Sequence, residues 1–170
     1  MKTHTKTAGQ TANPIAYIRA NGVAAERQQD AVRRFAEAKG FGDLTLYTDH
    51  QTRGTGGPAW RHLTDDIAQE RTGAVFLYGA LLSHRSAAMA EIVDLVELAR
   101  AHGVAVHCVT LDKELTRPDG FAALQICALF AQWEDAQASR ERAARSAYAA
   151  RRRAEQAAAL AAHASTSDEQ

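Results

Sequence analysis

Arg19 has the chain position that most invites a chemical reading. It follows the apolar run Ile15-Ala16-Tyr17-Ile18 and puts a guanidinium at the end of a buried strand. Such a group can grip a phosphate through its fork of N–H donors, or it can be the structural partner of an acid such as Asp49. The stretch Gly54-Thr55-Gly56-Gly57 could cradle an anion through backbone N–H groups. It lacks the lysine of a nucleotide-binding loop, so a mobile loop is the expected reading. Arg140, Arg142, Arg145, Arg151, Arg152 and Arg153 face a single acid, Glu141, between residues 136 and 153. They suit contact with phosphates without base readout, and they suit a solvated helix face equally well. His102, His107, Cys108 and Cys127 do not have the spacing of metal ligands. No metal or other cofactor is expected, and both cysteines read as buried free thiols of a reducing cytoplasm.

The elements that must position these groups follow from the hydrophobic pattern. Residues 1–13 are polar and threonine-rich and read as a disordered lead-in. Pro14 opens the first strand, and Asn21-Gly22 ends it with turn chemistry. Ala31, Val32, Phe35, Ala36 and Ala38 recur at helical spacing, predicting a helix from about Glu26 to Lys39 that Gly40 stops. Leu44 to Tyr47 is a second strand, and 51–58 a flexible loop. A helix is predicted from Trp60 to about Glu70, a strand over Ala74–Tyr78, a helix over 86–102 capped by Gly103, and a strand over Val104–Val109. Strand and helix alternate three times before that last strand, which predicts a mostly parallel α/β sheet.

From about Phe121 to Ala162 the pattern is helical without a strong breaker, roughly 60 Å if unbroken at 1.5 Å per residue. Its first half carries Leu124, Ile126, Cys127, Leu129, Phe130 and Trp133, apolar over so wide an arc that more than one neighbour is needed. The expectation is packing on its own domain and on a partner chain. Phe130 and Trp133 read as core or dimer contacts rather than a base-stacking platform. The expected organisation is a lead-in (1–13), an α/β domain (14–120), a long dimerisation helix with a basic extension (121–162) and a disordered tail (163–170). The 170 residues are 46% hydrophobic and 24% charged with zero formal net charge, so a basic surface must be local. No stretch approaches the ~20 apolar residues of a membrane span, and the N-terminus lacks the apolar core of a signal peptide.

These segments match a known pattern in order and spacing. Tyr17-Ile18-Arg19-Ala20-Asn21 resembles the Tyr-x-Arg-x-Ser segment that opens serine recombinases of the resolvase/invertase family. Gln28, Val32 and Phe35 to Gly40 resemble the family's first helix. Asp49 and Gly54 resemble the acid and glycine of its mobile loop, and Pro58 to Leu63 the start of the next helix. Leu82-Ser83 stands where the family has Asp-Arg-Leu-Ser-Arg. Gly120 and Phe130-Ala131-Gln132-Trp133-Glu134 resemble the long dimerisation helix. The resemblance covers roughly 14 to 145. It implies a three-layer domain with a mostly parallel sheet of four to five strands, followed by a long C-terminal α-helix.

The family's chemistry makes the departures informative. A serine oxygen attacks a DNA phosphate, and clustered arginines neutralise the developing charge. Here the serine position is Asn21, whose carboxamide cannot form a stable phosphodiester intermediate. The chain has no serine before Ser83. The Asp and both Arg of the second motif become Ala80, Leu81 and His84. The loop arginine is Gly57, and the arginine after the helix glutamate is Asp135. Of the active-site set, Arg19 and Gln28 remain, and Gln28 also reads as an ordinary surface residue of its helix. The resemblance therefore implies a non-catalytic protein that acts by association. The expected partners are a second copy of the chain through Ile126, Leu129, Phe130 and Trp133, duplex DNA through the arginine run, and an active recombinase; no membrane is expected. In active relatives the long helix leads to a helix-turn-helix domain, and the roughly 17 residues after Arg153 are too few for one. Any DNA contact would then be weak and barely sequence-specific. The alternatives are a protein-interaction module with no DNA role and a residual recombination or strand-exchange function in complex with an active recombinase.

Overall fold

The computed structural model describes residues 13–50, 56–79 and 86–167. Residues 1–12 of the expected lead-in, 51–55 of the expected flexible loop, Ala80, Leu81, Leu82, Ser83 and His84, and the last three residues lie outside the described residues. The chain forms two compact units, Met1–Ala131 and Gln132–Gln170.

The first unit alternates strand and helix: β1 (Ile15–Arg19), α1 (Gly22–Ala38), β2 (Thr45–Asp49), α2 (Pro58–Ala68), β3 (Ala74–Leu77), α3 (Ser86–Ala101), β4 (Ala105–Cys108) and β5 (Lys113–Glu114). A final helix, α4, begins at Pro118 and continues through the second unit to Ser167. The sheet order is β2-β1-β3-β4-β5, parallel except for the antiparallel β4–β5 pair. The predicted α/β architecture with a mostly parallel sheet and a long last helix is the one observed. The fifth strand has only two residues, too few to leave a pattern in sequence.

Period-two alternation along β1 divides the core. Ala16 and Ile18 point into a cluster with Ala25, Val32 and Ala36 of α1 and Phe76 of β3. Ile15 and Tyr17 point into the cluster made with Leu63 and Ile67 of α2, Met89, Leu95 and Val96 of α3, and Leu124 of α4. Helices thus cover both faces of the sheet, and the near-continuous apolar strands follow from that. His107 behaves as one of the aromatic packers. Its ring stacks on Phe76 at 4.9 Å and meets the edge of Phe41 at 5.8 Å. Burial holds its pKa below the usual value, against the pull of Glu114.

Helix boundaries differ from the pattern where backbone chemistry outranks periodicity. α1 starts at Gly22, four residues before the expected Glu26, because Gly22 adopts φ 52°, a left-handed turn that glycine makes without a Cβ penalty. α2 starts at Pro58, a residue suited to a first helical position. The expected loop therefore ends sooner than 58. α4 starts at Pro118 rather than Phe121 and runs past Ala162 to Ser167, so residues 163–167, expected as tail, continue the helix. The alanine-rich sequence there has high helix propensity and no breaker. In the first unit α4 buries Leu124 and Ala131 and half-buries Cys127 and Ala128, spaced to form one stripe. Cys127 is thus only half-buried, whereas Cys108 is fully buried; both are free thiols. No helix among the described residues is long and apolar enough to cross a membrane.

Candidate functional site

The strand order reverses between β1 and its two neighbours, and the C-terminal end of β1 is where an open α/β sheet forms a ligand crevice. Arg19 closes β1 and stands beside Asp49, its register partner at the end of β2. Alternation puts Arg19 on the same face as Tyr17, toward α2 and α3.

Asp49 is the organising residue of this corner. Its buried carboxylate accepts the Tyr17 hydroxyl at 2.9 Å and the N–H groups of Gly57, Ala59 and Trp60 at 3.0, 3.1 and 3.1 Å. The last three are orphan donors at the start of α2, so an acid from another strand caps that helix. Burial alone would raise the Asp49 pKa, but the bonds from Ala59, Tyr17, Trp60 and Gly57 outweigh it and hold the carboxyl below its ordinary value. The Tyr17 hydroxyl moves the other way, raised by burial and by its bond to Asp49. Four donors use about all the lone-pair sites of a carboxylate. Asp49 is therefore a fixed structural anion with little capacity left for proton transfer.

Gly57 explains the tightness of the corner. A Cβ there would stand 2.6 Å from Asp49 Cγ, closer than real Cβ contacts come. Gly57, where the family resemblance implies a loop arginine, has no room for a side chain while Asp49 caps α2. The Trp60 ring packs edge-on against Tyr17 at 4.9 Å and walls the corner from the other side.

Arg19 and Asp49 are cross-strand neighbours, and a carboxylate of Glu91 on α3 faces Arg19 Nη1 at 3.4 Å. The other oxygen of Glu91 accepts the Gly56 N–H at 2.7 Å. The anion cradle read from the glycine-rich stretch is thus filled, at Gly56 and Gly57, by the protein's own Glu91 and Asp49. Sequence reading missed Glu91. A signal for it existed: Glu91 lies four residues before buried Leu95, so an acid sits beside the stripe of α3 that faces the sheet.

Asn21 precedes α1 in an extended conformation, is exposed, and makes no side-chain capping bond to the helix. Gln28 lies half-buried on α1. The structure thus brings together Arg19, Asp49 and Gly57, with Tyr17, Trp60 and Glu91. Asp135 belongs to the second unit, as do the six arginines of the run. All six are exposed on α4. Arg145 pairs with Glu141 at 3.0 Å and Arg151 with Glu155 at 2.8 Å, each one helical turn apart. Arg140 and Arg142 reach Gln137 and Ser139 at 3.4 and 3.5 Å. On α4, Ile126, Leu129 and Phe130 of the first unit are 67, 65 and 60% exposed, and Trp133 of the second is 56% exposed.

Comparison with known proteins agrees with this architecture. The solved N-terminal catalytic domain of TP901-1 integrase resembles the chain with a TM-score of 0.57 at 22% identity, covering 74% of this chain and 98% of that one. A resolvase family site-specific recombinase from Streptococcus pneumoniae resembles it with a TM-score of 0.56 at 15% identity, covering 76% of this chain and 91% of that one. At such identities the likeness is one of fold. No curated protein matches the chain significantly. The family described as "Resolvase, N terminal domain" matches residues 15–156, most of the sequence. The chain belongs to the resolvase N-terminal domain family and is a serine-recombinase-related protein.

Proposed function

We propose that this protein is a non-catalytic member of its family that works by association, as a DNA-associated or regulatory factor. The observation that carries the reading is the closed corner at Asp49 and Gly57. The carboxylate is saturated by four donors, and the neighbouring position has no space for a cationic side chain. Asn21 supports it from the nucleophile's side, because an amide nitrogen shares its lone pair with the carbonyl and does not displace a phosphodiester oxygen. Incubation with supercoiled plasmid, followed by trapping of covalent protein–DNA adducts, is the test. Intact plasmid and no adduct are expected; an adduct at any hydroxyl overturns the reading.

Association is assigned to α4. Ile126, Leu129, Phe130 and Trp133 expose large apolar side chains that a second copy would bury, and Arg140, Arg142, Arg145, Arg151, Arg152 and Arg153 offer cations to a DNA backbone. Pairing with an active recombinase through the same helix would carry such a factor to DNA exchange sites. A dimer mass is expected in solution, falling to the monomer in Leu129→Glu. A monomeric wild type removes the assignment of dimerisation.

A second reading, a protein-interaction module without DNA contact, is favoured by the local pairing of Arg145 and Arg151 with Glu141 and Glu155. Fluorescence anisotropy with duplex DNA separates the two. Binding at ~50 mM salt that fades as salt rises supports the DNA role, and no binding even there leaves the interaction module.

A further inference from the structure

Asn21 and Gly22 follow one another at the turn from β1 into α1. An asparagine before a glycine carries an electrophile and a nucleophile in one dipeptide. The first is the side-chain amide carbon, Cγ; the second is the main-chain nitrogen of the next residue. Three observations leave this pair open to react. Residues 21–24 are all exposed. The Asn21 side chain makes no capping bond that would fix its amide to α1. A Cβ at Gly22 would meet nothing among the described residues within 4 Å, so the turn has space for a ring. Asn21 is extended, with ψ 152°, and ring closure requires rotation about its Cα–C bond. That rotation displaces the first residues of α1, at a helix end, where fraying costs least.

We infer that Asn21 is a site of spontaneous deamidation in the folded chain. The Gly22 nitrogen gives its proton to a base in solution and bonds to Asn21 Cγ. The Cγ–Nδ2 bond breaks, and that nitrogen leaves as ammonia with a proton returned by water. The product is a cyclic succinimide. Water then opens one of its two carbonyl–nitrogen bonds. Cleavage at Cγ gives an aspartyl residue; cleavage at the main-chain carbonyl gives an isoaspartyl residue, with an extra methylene in the backbone. The net exchange is one water taken up and one ammonia released. Both products place a carboxylate before α1, whose first turn has no acidic residue. The unpaired N–H groups of the helix start favour that charge. The inference goes beyond the associative reading and does not depend on it.

The chain supplies its own controls. The other asparagine in the sequence, Asn13, precedes Pro14, whose nitrogen has no proton to lose. Asp119-Gly120 could close the same ring. There, however, Asp119 accepts a bond from Lys113 Nζ at 2.9 Å, and a Cβ at Gly120 would collide with the Glu114 carbonyl oxygen. The test ages the full native chain at physiological temperature and mildly alkaline pH, followed by intact mass and peptide mapping. A gain of about 1 Da is expected in the peptide that holds Asn21. Isoaspartate, detected by enzymatic methylation, should arise there and not at Asn13 or Asp119. The rate should rise with pH. Gly22→Ala should slow it about tenfold or more, because a side chain crowds the attacking nitrogen. Gly22 takes φ 52°, which alanine adopts at a cost, so Asn21→Gln is the second variant. Its ring would need one more atom, and the gain should vanish. No gain in the native chain under conditions where the urea-unfolded chain converts overturns the inference, as does a gain undiminished in Asn21→Gln. Neither result bears on plasmid cleavage, which tests the non-catalytic reading separately.

Discussion

Arginines serve this chain under two opposite regimes. Arg19 is held in the first unit, 21% exposed, facing a carboxylate that reaches it from α3 across 72 positions of sequence. The arginines of the second unit lie on the surface of one helix. Arg145 and Arg151 are 78 and 80% exposed and pair with acids one turn away. Exposed pairs of that kind are worth only ~0.3–0.5 kcal/mol and are screened by salt. They exchange readily for a phosphate. A partly buried guanidinium surrounded by assigned partners does not. Formal charge alone does not locate binding capacity; the cost of releasing the existing partner does.

The largest effect is expected at Asp49. Asp49→Ala leaves the Tyr17 hydroxyl and three helix-end N–H groups without their acceptor. It should lower unfolding free energy by roughly 3–5 kcal/mol, measured by urea denaturation. A loss under ~1 kcal/mol would mean that Asp49 does not hold the corner fixed. The same carboxyl sets an acid limit. Its folded pKa lies below the ordinary 3.8, so its contribution is present above that value and is lost as pH falls through the folded one. Asp49→Asn should be less stable at neutral pH and show a shallower acid unfolding profile.

A smaller effect is expected at the surface. Replacing Arg151, Arg152 and Arg153 together by Ala should weaken duplex binding about uniformly across sequences and reduce the salt slope by up to ~1 per lost contact. Arg19→Gln should leave that slope unchanged. The reverse pattern would relocate the DNA contact to the β1 corner.

His107 sharpens the contrast from a third position, a buried group without a strong charge partner. Burial lowers its pKa, with Glu114 opposing and Lys39 and Arg117 adding to the shift. The unfolded chain therefore takes up the proton more readily. Stability should be full above about pH 6.5 and decline as pH falls from there through the folded pKa. His107→Phe, which preserves the ring between Phe76 and Phe41, should remove that component of a pH series of unfolding midpoints.

The smallest expected effect is none. Asn21→Ser restores a hydroxyl at the end of β1 but leaves Gly57 and the saturated Asp49 as they are, so plasmid cleavage should stay absent. Cleavage by this single variant would show that the rest of the corner is catalytically sufficient.

Much of this was legible in the amino-acid order. Buried strands such as Ala74–Leu77 and the helix stripe of α3 follow from apolar periodicity, which is a local property of the chain. The glycines that end α1 and α3 read correctly as helix stops, since Gly40 and Gly103 take φ 84° and 68°. Asn21 at the end of the first strand, the arginine run and the exposed apolar residues of the last helix were all visible as types and spacings. The tertiary structure decided which partners these groups have. That Asp49 caps α2, that Gly57 has no space beside it, and that Glu91 faces Arg19 depend on strand register and on where α3 packs. Hydrogen bonds between residues 35 or 72 positions apart leave no period in a sequence. They exist only once burial has brought the elements together and removed the water that would otherwise satisfy each group.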